Sequence, residues 1–216
     1  MTILRWLVSI LAVVLIFAGA SFTLAALRPA AEDPFFDATD ITGVPWGRDF
    51  QLLGPDGKEH GLADFQGKVV ALYFGYTRCQ DVCPTTMATL AQAVRLLGNE
   101  GGEVQTVFVT IDPKHDTPQV LARYVSTFDP SFIGLYGDKQ SIQRTAREFH
   151  VLASRAAHST PVFLFDRAGR LRLVLRAEVT PESVAHDMHL LLAQPLRRGD
   201  RMHNQSGRTT TKRIRA

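Results

Sequence analysis

What the chain has little of narrows the reading first. Two cysteines among 216 residues cannot staple a disulfide scaffold. Four methionines leave no methionine-rich metal tract, and there is no internal repeat. Neither sign of charge dominates, because the formal net charge is only +3. Even that value is uneven: residues 197–216 hold seven Lys or Arg against Asp200 and carry +6, so residues 1–196 carry −3. The basic charge is therefore a tail and not a nucleic-acid-binding face. No aromatic-plus-basic stripe or helix-turn-helix pattern accompanies it, so no nucleic-acid partner is expected. What is present is ordinary: 45% apolar and 21% charged residues exclude a wholly disordered, collagenous or coiled-coil chain. With roughly 100 to 200 residues per domain as the usual range, the length suits one sizeable core with an appendage.

One long apolar run stands out. From Trp6 to Leu27 the chain carries no charge for 22 residues. At about 1.5 Å per residue a helix of that length covers the ~30 Å hydrocarbon core of a bilayer. It exceeds the roughly 7 to 15 residues of a cleavable signal's apolar region, although Ala18-Gly19-Ala20 offers a small-residue cleavage site. An uncleaved N-terminal transmembrane helix over residues 1–27 is the favoured reading, with a signal segment as the alternative. Residues 28–45, rich in Ala, Pro, Asp and Thr without periodicity, read as a linker. The folded region is expected from Trp46, over 46–195, with 196–216 a basic disordered tail.

Within that region the pattern alternates. Asp49 to Leu62 reads as a hairpin around Gly54-Pro55-Asp56-Gly57. Lys68 to Tyr76, a nearly unbroken run of β-branched and aromatic residues, suits a strand buried on both faces. Met87, Leu90, Ala91, Val94 and Leu97 recur at helical spacing, with Pro84 in the first turn and Gly98 at the stop. Then follow a strand over 104–111, a helix over 118–128, a short strand over 132–136 and a helix over 141–149. A hairpin of 161–166 with 171–175 and a helix over 181–192 complete the pattern. Such a pattern predicts an α/β fold, a mixed sheet with helices on both faces.

Both cysteines, Cys79 and Cys83, lie where the central strand gives way to its helix. Backbone N–H groups and the helix dipole stabilise anions there, so one or both thiols should be thiolate-rich at neutral pH. Thiolate is the nucleophile of disulfide exchange and also a soft ligand for Cu(I) or Zn(II). The inert alternative is a structural disulfide or two buried thiols. The polar neighbours Thr77, Arg78, Gln80 and Asp81 argue against that alternative. Three residues separate the pair, against the two usual in dithiol redox motifs, and a third ligand would favour a metal. Among seven histidines, His158 stands just before the strand at Pro161. His186 and His189, three apart on the last helix with no nearby carboxylate pair or cysteine, read as solvated or packed, and Met87 reads as core.

The segment YFGYTRCQDVCPTTM, the later IDPKHDTP and the HST ahead of an apolar strand resemble the Sco/SenC family over about residues 46–195. The resemblance implies a membrane-anchored, thioredoxin-like copper-binding protein that takes part in assembling the copper-A site of cytochrome c oxidase. It puts the copper ligands on Cys79, Cys83 and His158, with Asp112 and Asp116 in an acidic loop beside the site and His115 as a surface or supporting residue. Thr160-Pro161 falls where thioredoxin-like proteins keep a cis-proline facing the dithiol. Two positions depart from the family: Ala157 stands where an aspartate often precedes the histidine, and Gln80 where proline often follows the first cysteine.

The leading expectation is a metallochaperone that holds Cu(I) or Cu(II) and passes it to the copper-receiving subunit of cytochrome c oxidase. A thioredoxin-like reductant would keep the thiols reduced. Such a protein would be single-pass in the cell inner membrane, its soluble domain on the periplasmic side. The alternative is a periplasmic thiol-disulfide oxidoreductase with Cys79 attacking and Cys83 resolving, and a peroxide-scavenging relative of thioredoxin is a third, weaker reading.

Overall fold

The β-branched and aromatic run at 69–75 becomes the centre of a six-stranded mixed sheet. The computed structural model describes residues 35–151, 161–176 and 179–196. In chain order the strands are β1 (Thr39–Asp40), β2 (Leu52–Leu53), β3 (Glu59–His60), β4 (Val69–Gly75), β5 (Val104–Thr110), β6 (Ile133–Leu135), β7 (Val162–Phe165) and β8 (Leu171–Leu175). The helices are α1 (Val82–Leu96), α2 (Pro118–Ser126), α3 (Lys139–Glu148) and α4 (Pro181–Ala193). The large sheet runs β1-β8-β7-β4-β5-β6, and β2 with β3 forms a separate small hairpin. β4 is parallel to β5 and antiparallel to β7; β5 is parallel to β6, while β7 and β8 are antiparallel.

Every residue of β4 and β5 is buried, as strands sandwiched between two layers require. Successive side chains alternate between the layers. Val69, Ala71 and Tyr73 join the core formed by α1, α2 and α4, through Met87, Leu90, Leu121, Val184 and Met188. Val70, Leu72 and Phe74 face the other core, with Phe50 and Leu52 beside the hairpin and Ile142 and Ala146 of α3. Three helices start on side-chain caps: Thr117, Asp138 and Thr180 accept the N–H of Val120, Ser141 and Ser183 respectively. Each cap satisfies an N–H that the first helical turn leaves without a partner.

The expected domain boundary at Trp46 moves back. The described residues from Phe36 to Leu196 belong to one compact unit. Thr39 and Asp40 pair with Val174 and Leu173 of β8, and Asp37 and Ala38 donate their N–H groups to Asp187 Oδ1 and Oδ2 at 2.8 and 2.9 Å. Asp187 sits in α4 with no exposure, and burial raises its pKa even though the two N–H groups act in the opposite sense. The second half of the linker is thus part of the fold. Among the described residues no helix is long and apolar enough to cross a membrane. The Trp6 to Leu27 run and the basic tail lie outside those residues.

Candidate metal centre

The site forms at the carboxyl ends of two neighbouring parallel strands. Gly75 and Thr110, the last residues of β4 and β5, are level in the register, and Ile111 donates its N–H to Gly75 O at 2.8 Å. The chain beyond Gly75 then turns, Cys79 donating its N–H to Tyr76 O at 3.1 Å, before α1 begins at Val82. Cys79 therefore precedes the helix and Cys83 lies in its first turn. Their closeness does not come from sharing one helix face. The N–H of Cys83 points at Cys79 Sγ, 3.4 Å away.

The two thiols are free and unalike: Cys79 is partly exposed and Cys83 is buried. Burial pushes the Cys79 thiol up, but the N–H groups of Cys83 and Asp81, with smaller contributions from Cys83 and Tyr76 side chains, outweigh it and leave the pKa lowered. Burial dominates at Cys83, whose pKa is pushed up to about 11 despite the Tyr73 hydroxyl, which donates to its sulfur at 3.5 Å. So only one of the two thiols has its pKa shifted in the direction expected at the start of a helix. Gly75 makes room for the other: a Cβ there would lie 3.0 Å from Cys83 Sγ and 2.8 Å from the Phe108 ring. A cleft of roughly 480 Å³ opens over the pair, lined also by Tyr73, Tyr76, Arg78 and Ile111.

The acidic loop lies against the turn that carries Cys79. Asp112 takes the Arg78 guanidinium at 3.0 Å and His115 Nδ1 at 2.9 Å. Asp116 accepts the Thr77 N–H at 3.1 Å, and the Thr77 and Thr110 hydroxyls at 2.6 Å each. The Tyr124 hydroxyl is buried and finds no hydrogen-bond partner among the described residues. Its pKa is raised, by burial first and then by the charges of Cys83, Cys79 and Asp116.

His158 lies outside the described residues, as does Thr160 of the Thr160-Pro161 pair. Of the other residues singled out, Met87 is fully buried core, and His189 points to Glu100 Oε2 at 2.7 Å. His186 does meet a carboxylate pair, which the sequence reading had not placed beside it: Asp37 at 3.5 Å and Asp187 at 3.6 Å. Sequence reading misses Tyr73 and Thr110 and takes Thr77 only as a polar neighbour of the cysteines. Their signal was position, since all three lie at or just beyond the carboxyl ends of adjacent buried strands, where α/β sheets assemble sites.

Residues 39–193 match the SCO1/SenC family model. The chain belongs to the SCO1/SenC family. This SCO1/SenC chain is 32% identical over 183 residues to the SCO2-like protein of Rickettsia felis, covering 79% of the chain and 89% of that relative. Among solved structures it resembles Bradyrhizobium japonicum ScoI with copper bound, at 31% identity and a TM-score of 0.57, covering 65% of this SCO1/SenC chain and 96% of the other. Yeast Sco1 with copper bound gives 28% identity and a TM-score of 0.64, covering 71% and 97% respectively. The thioredoxin-like mixed sheet expected for the family is the fold described above.

Proposed function

We propose that this protein binds copper through Cys79 and Cys83, with His158 completing the set, and hands it to the copper-A site of cytochrome c oxidase during assembly. The observation that carries the reading is the asymmetry of the two thiols over an open cleft. Two sulfurs are a donor set matched to Cu(I), and an imidazole extends it toward Cu(II). The pair fits the metal: the two thiols are close enough to hydrogen-bond to each other, and Cys79 is partly open to solvent. Two SCO1/SenC relatives, the Bradyrhizobium and yeast proteins, hold copper in their structures, which supports the same cargo here.

Each protein group has a distinct task. Cys79, partly exposed and favouring thiolate, is the first donor to meet incoming metal and the one a receiving protein can approach. Cys83, held beneath it by Tyr73, deprotonates only once metal competes for its proton. Transfer proceeds by ligand exchange on the exposed side, and a disulfide between the two cysteines would block it, so a thioredoxin-like reductant is the companion. The Trp6 to Leu27 segment anchors the domain in the inner membrane, with the domain on the periplasmic side.

Thiol-disulfide exchange is favoured by the same asymmetry, since a depressed, exposed thiol beside a buried one is the arrangement of an attacking and a resolving cysteine. Copper titration of the fully reduced protein under anaerobic conditions, wild type against His158→Ala, separates the two. One tightly held copper in wild type, greatly weakened in the variant, is the expected result. Wild type holding copper no better than the variant refutes delivery and transfers the assignment to exchange.

A further inference from the structure

We infer that Asp116 is the positioning residue for Cys79, its carboxylate acting through Thr77 to fix the turn on which the open sulfur stands. Asp116 is 1% exposed and has no cationic partner among the described residues. Instead it takes three donors: the N–H and hydroxyl of Thr77 and the hydroxyl of Thr110. The Thr110 hydroxyl also accepts the Asp112 N–H at 3.0 Å, which leaves its own proton to point at Asp116. The carboxylate thus joins the end of β5 to the residue two positions before Cys79. With both the backbone and the side chain of Thr77 bound to one carboxylate, its backbone orientation and χ1 are set together. The turn then closes at once through Cys79 N–H to Tyr76 O.

Burying a carboxylate that has no cationic partner among the described residues is costly, and the three donors to Asp116 offset that cost. Asp116 therefore supplies geometry to the site, and the copper arm of its test rests on the copper reading above.

The test uses the full-length reduced chain with Asp116→Ala, Asp116→Asn and Thr77→Val, followed by two readouts below the melting temperature. The first, without metal, is the iodoacetamide alkylation rate of Cys79. The second is Cu(I) affinity by competition, with the Cu(II)-thiolate absorption band. Asn can keep all three contacts, its oxygen accepting from Thr77 N–H and Thr110 while its NH2 donates to the Thr77 hydroxyl. Asp116→Ala should change the alkylation rate and weaken copper by about 10-fold or more. Thr77→Val should move both in the same direction by less, and Asp116→Asn should restore the Cys79 alkylation rate. Unchanged alkylation in folded Asp116→Ala overturns the inference. If that variant does not fold, unchanged alkylation in Thr77→Val does so. Should wild type bind no copper, the delivery reading fails, while the metal-free alkylation rates still decide the role of Asp116.

Discussion

Substituting Gly75 by alanine tests the packing on which the site depends. The added Cβ would lie 2.8 and 2.9 Å from two carbons of the Phe108 ring and 3.0 Å from Cys83 Sγ, against the roughly 3.5 to 4.0 Å of relaxed contacts. Neither neighbour yields easily. Phe108 has no exposure and its ring is held edge-on between Tyr73 at 5.9 Å and Tyr124 at 5.5 Å. Cys83 is 4% exposed and rooted in α1. Overpacking of this kind costs about 1 to 3 kcal/mol. For a domain of this size that corresponds to a fall of roughly 2 to 10 °C in melting temperature. Gly102→Ala is the matched control, because a Cβ at Gly102 meets nothing within 4 Å. Thermal unfolding of both variants, reduced and metal-free, should show Gly75→Ala clearly below Gly102→Ala, and copper affinity should fall with it as Cys83 Sγ is displaced. A Gly75→Ala protein melting with the control and binding copper as wild type does would refute the argument that the glycine exists to admit the sulfur.

Other outcomes follow from the same geometry. Iodoacetamide should modify Cys79 first at neutral pH, with a midpoint below that of an ordinary thiol, while Cys83 should react only as the domain opens; equal rates in the native protein would count against the asymmetry. Because folding raises the Cys83 pKa to about 11, its contribution to stability is complete below the ordinary thiol range and is lost as pH rises through about 11. Denaturant midpoints between pH 8 and 11 should therefore fall less steeply in Cys83→Ser than in wild type. Asp187→Ala removes the acceptor of two N–H groups, costs about 2 kcal/mol net of the buried charge it relieves, and should abolish amide-exchange protection at Asp37 and Ala38. Breaking the exposed His189 to Glu100 pair should change stability by less than about 1 kcal/mol in a double-mutant cycle.

Much of this architecture is legible locally. The run through 69–75 announces a doubly buried strand, and the periodic apolar positions of α1, with its Pro84, announce the helix that follows. The cysteines between them mark the site. What sequence could not convey depends on partners far along the chain. Residues 36–45 carry no periodicity, and they join the fold because Asp187, some 150 positions away, accepts two of their N–H groups. The split between the thiols is equally non-local: polar neighbours at Arg78, Gln80 and Asp81 suggest exposure for both, but Tyr73 and Phe108 enclose Cys83 from the sheet side. Likewise the motif shows an aspartate at 116, and only the level ends of β4 and β5 reveal that Thr77 and Thr110 converge on it.

The outermost strands have a consequence for crowding. β1, at one margin of the sheet, is two residues long and β6, at the other, three. An unpaired strand margin is a template on which another chain can add its own strand, and natural proteins blunt that hazard by keeping such margins short. The long, apolar strands β4 and β5 both lie inside the sheet, and β6 covers β5 over Val107–Val109. Copies anchored side by side on a bilayer, as proposed above, would meet at high local concentration. Margins of two and three residues give them too little backbone to polymerise through.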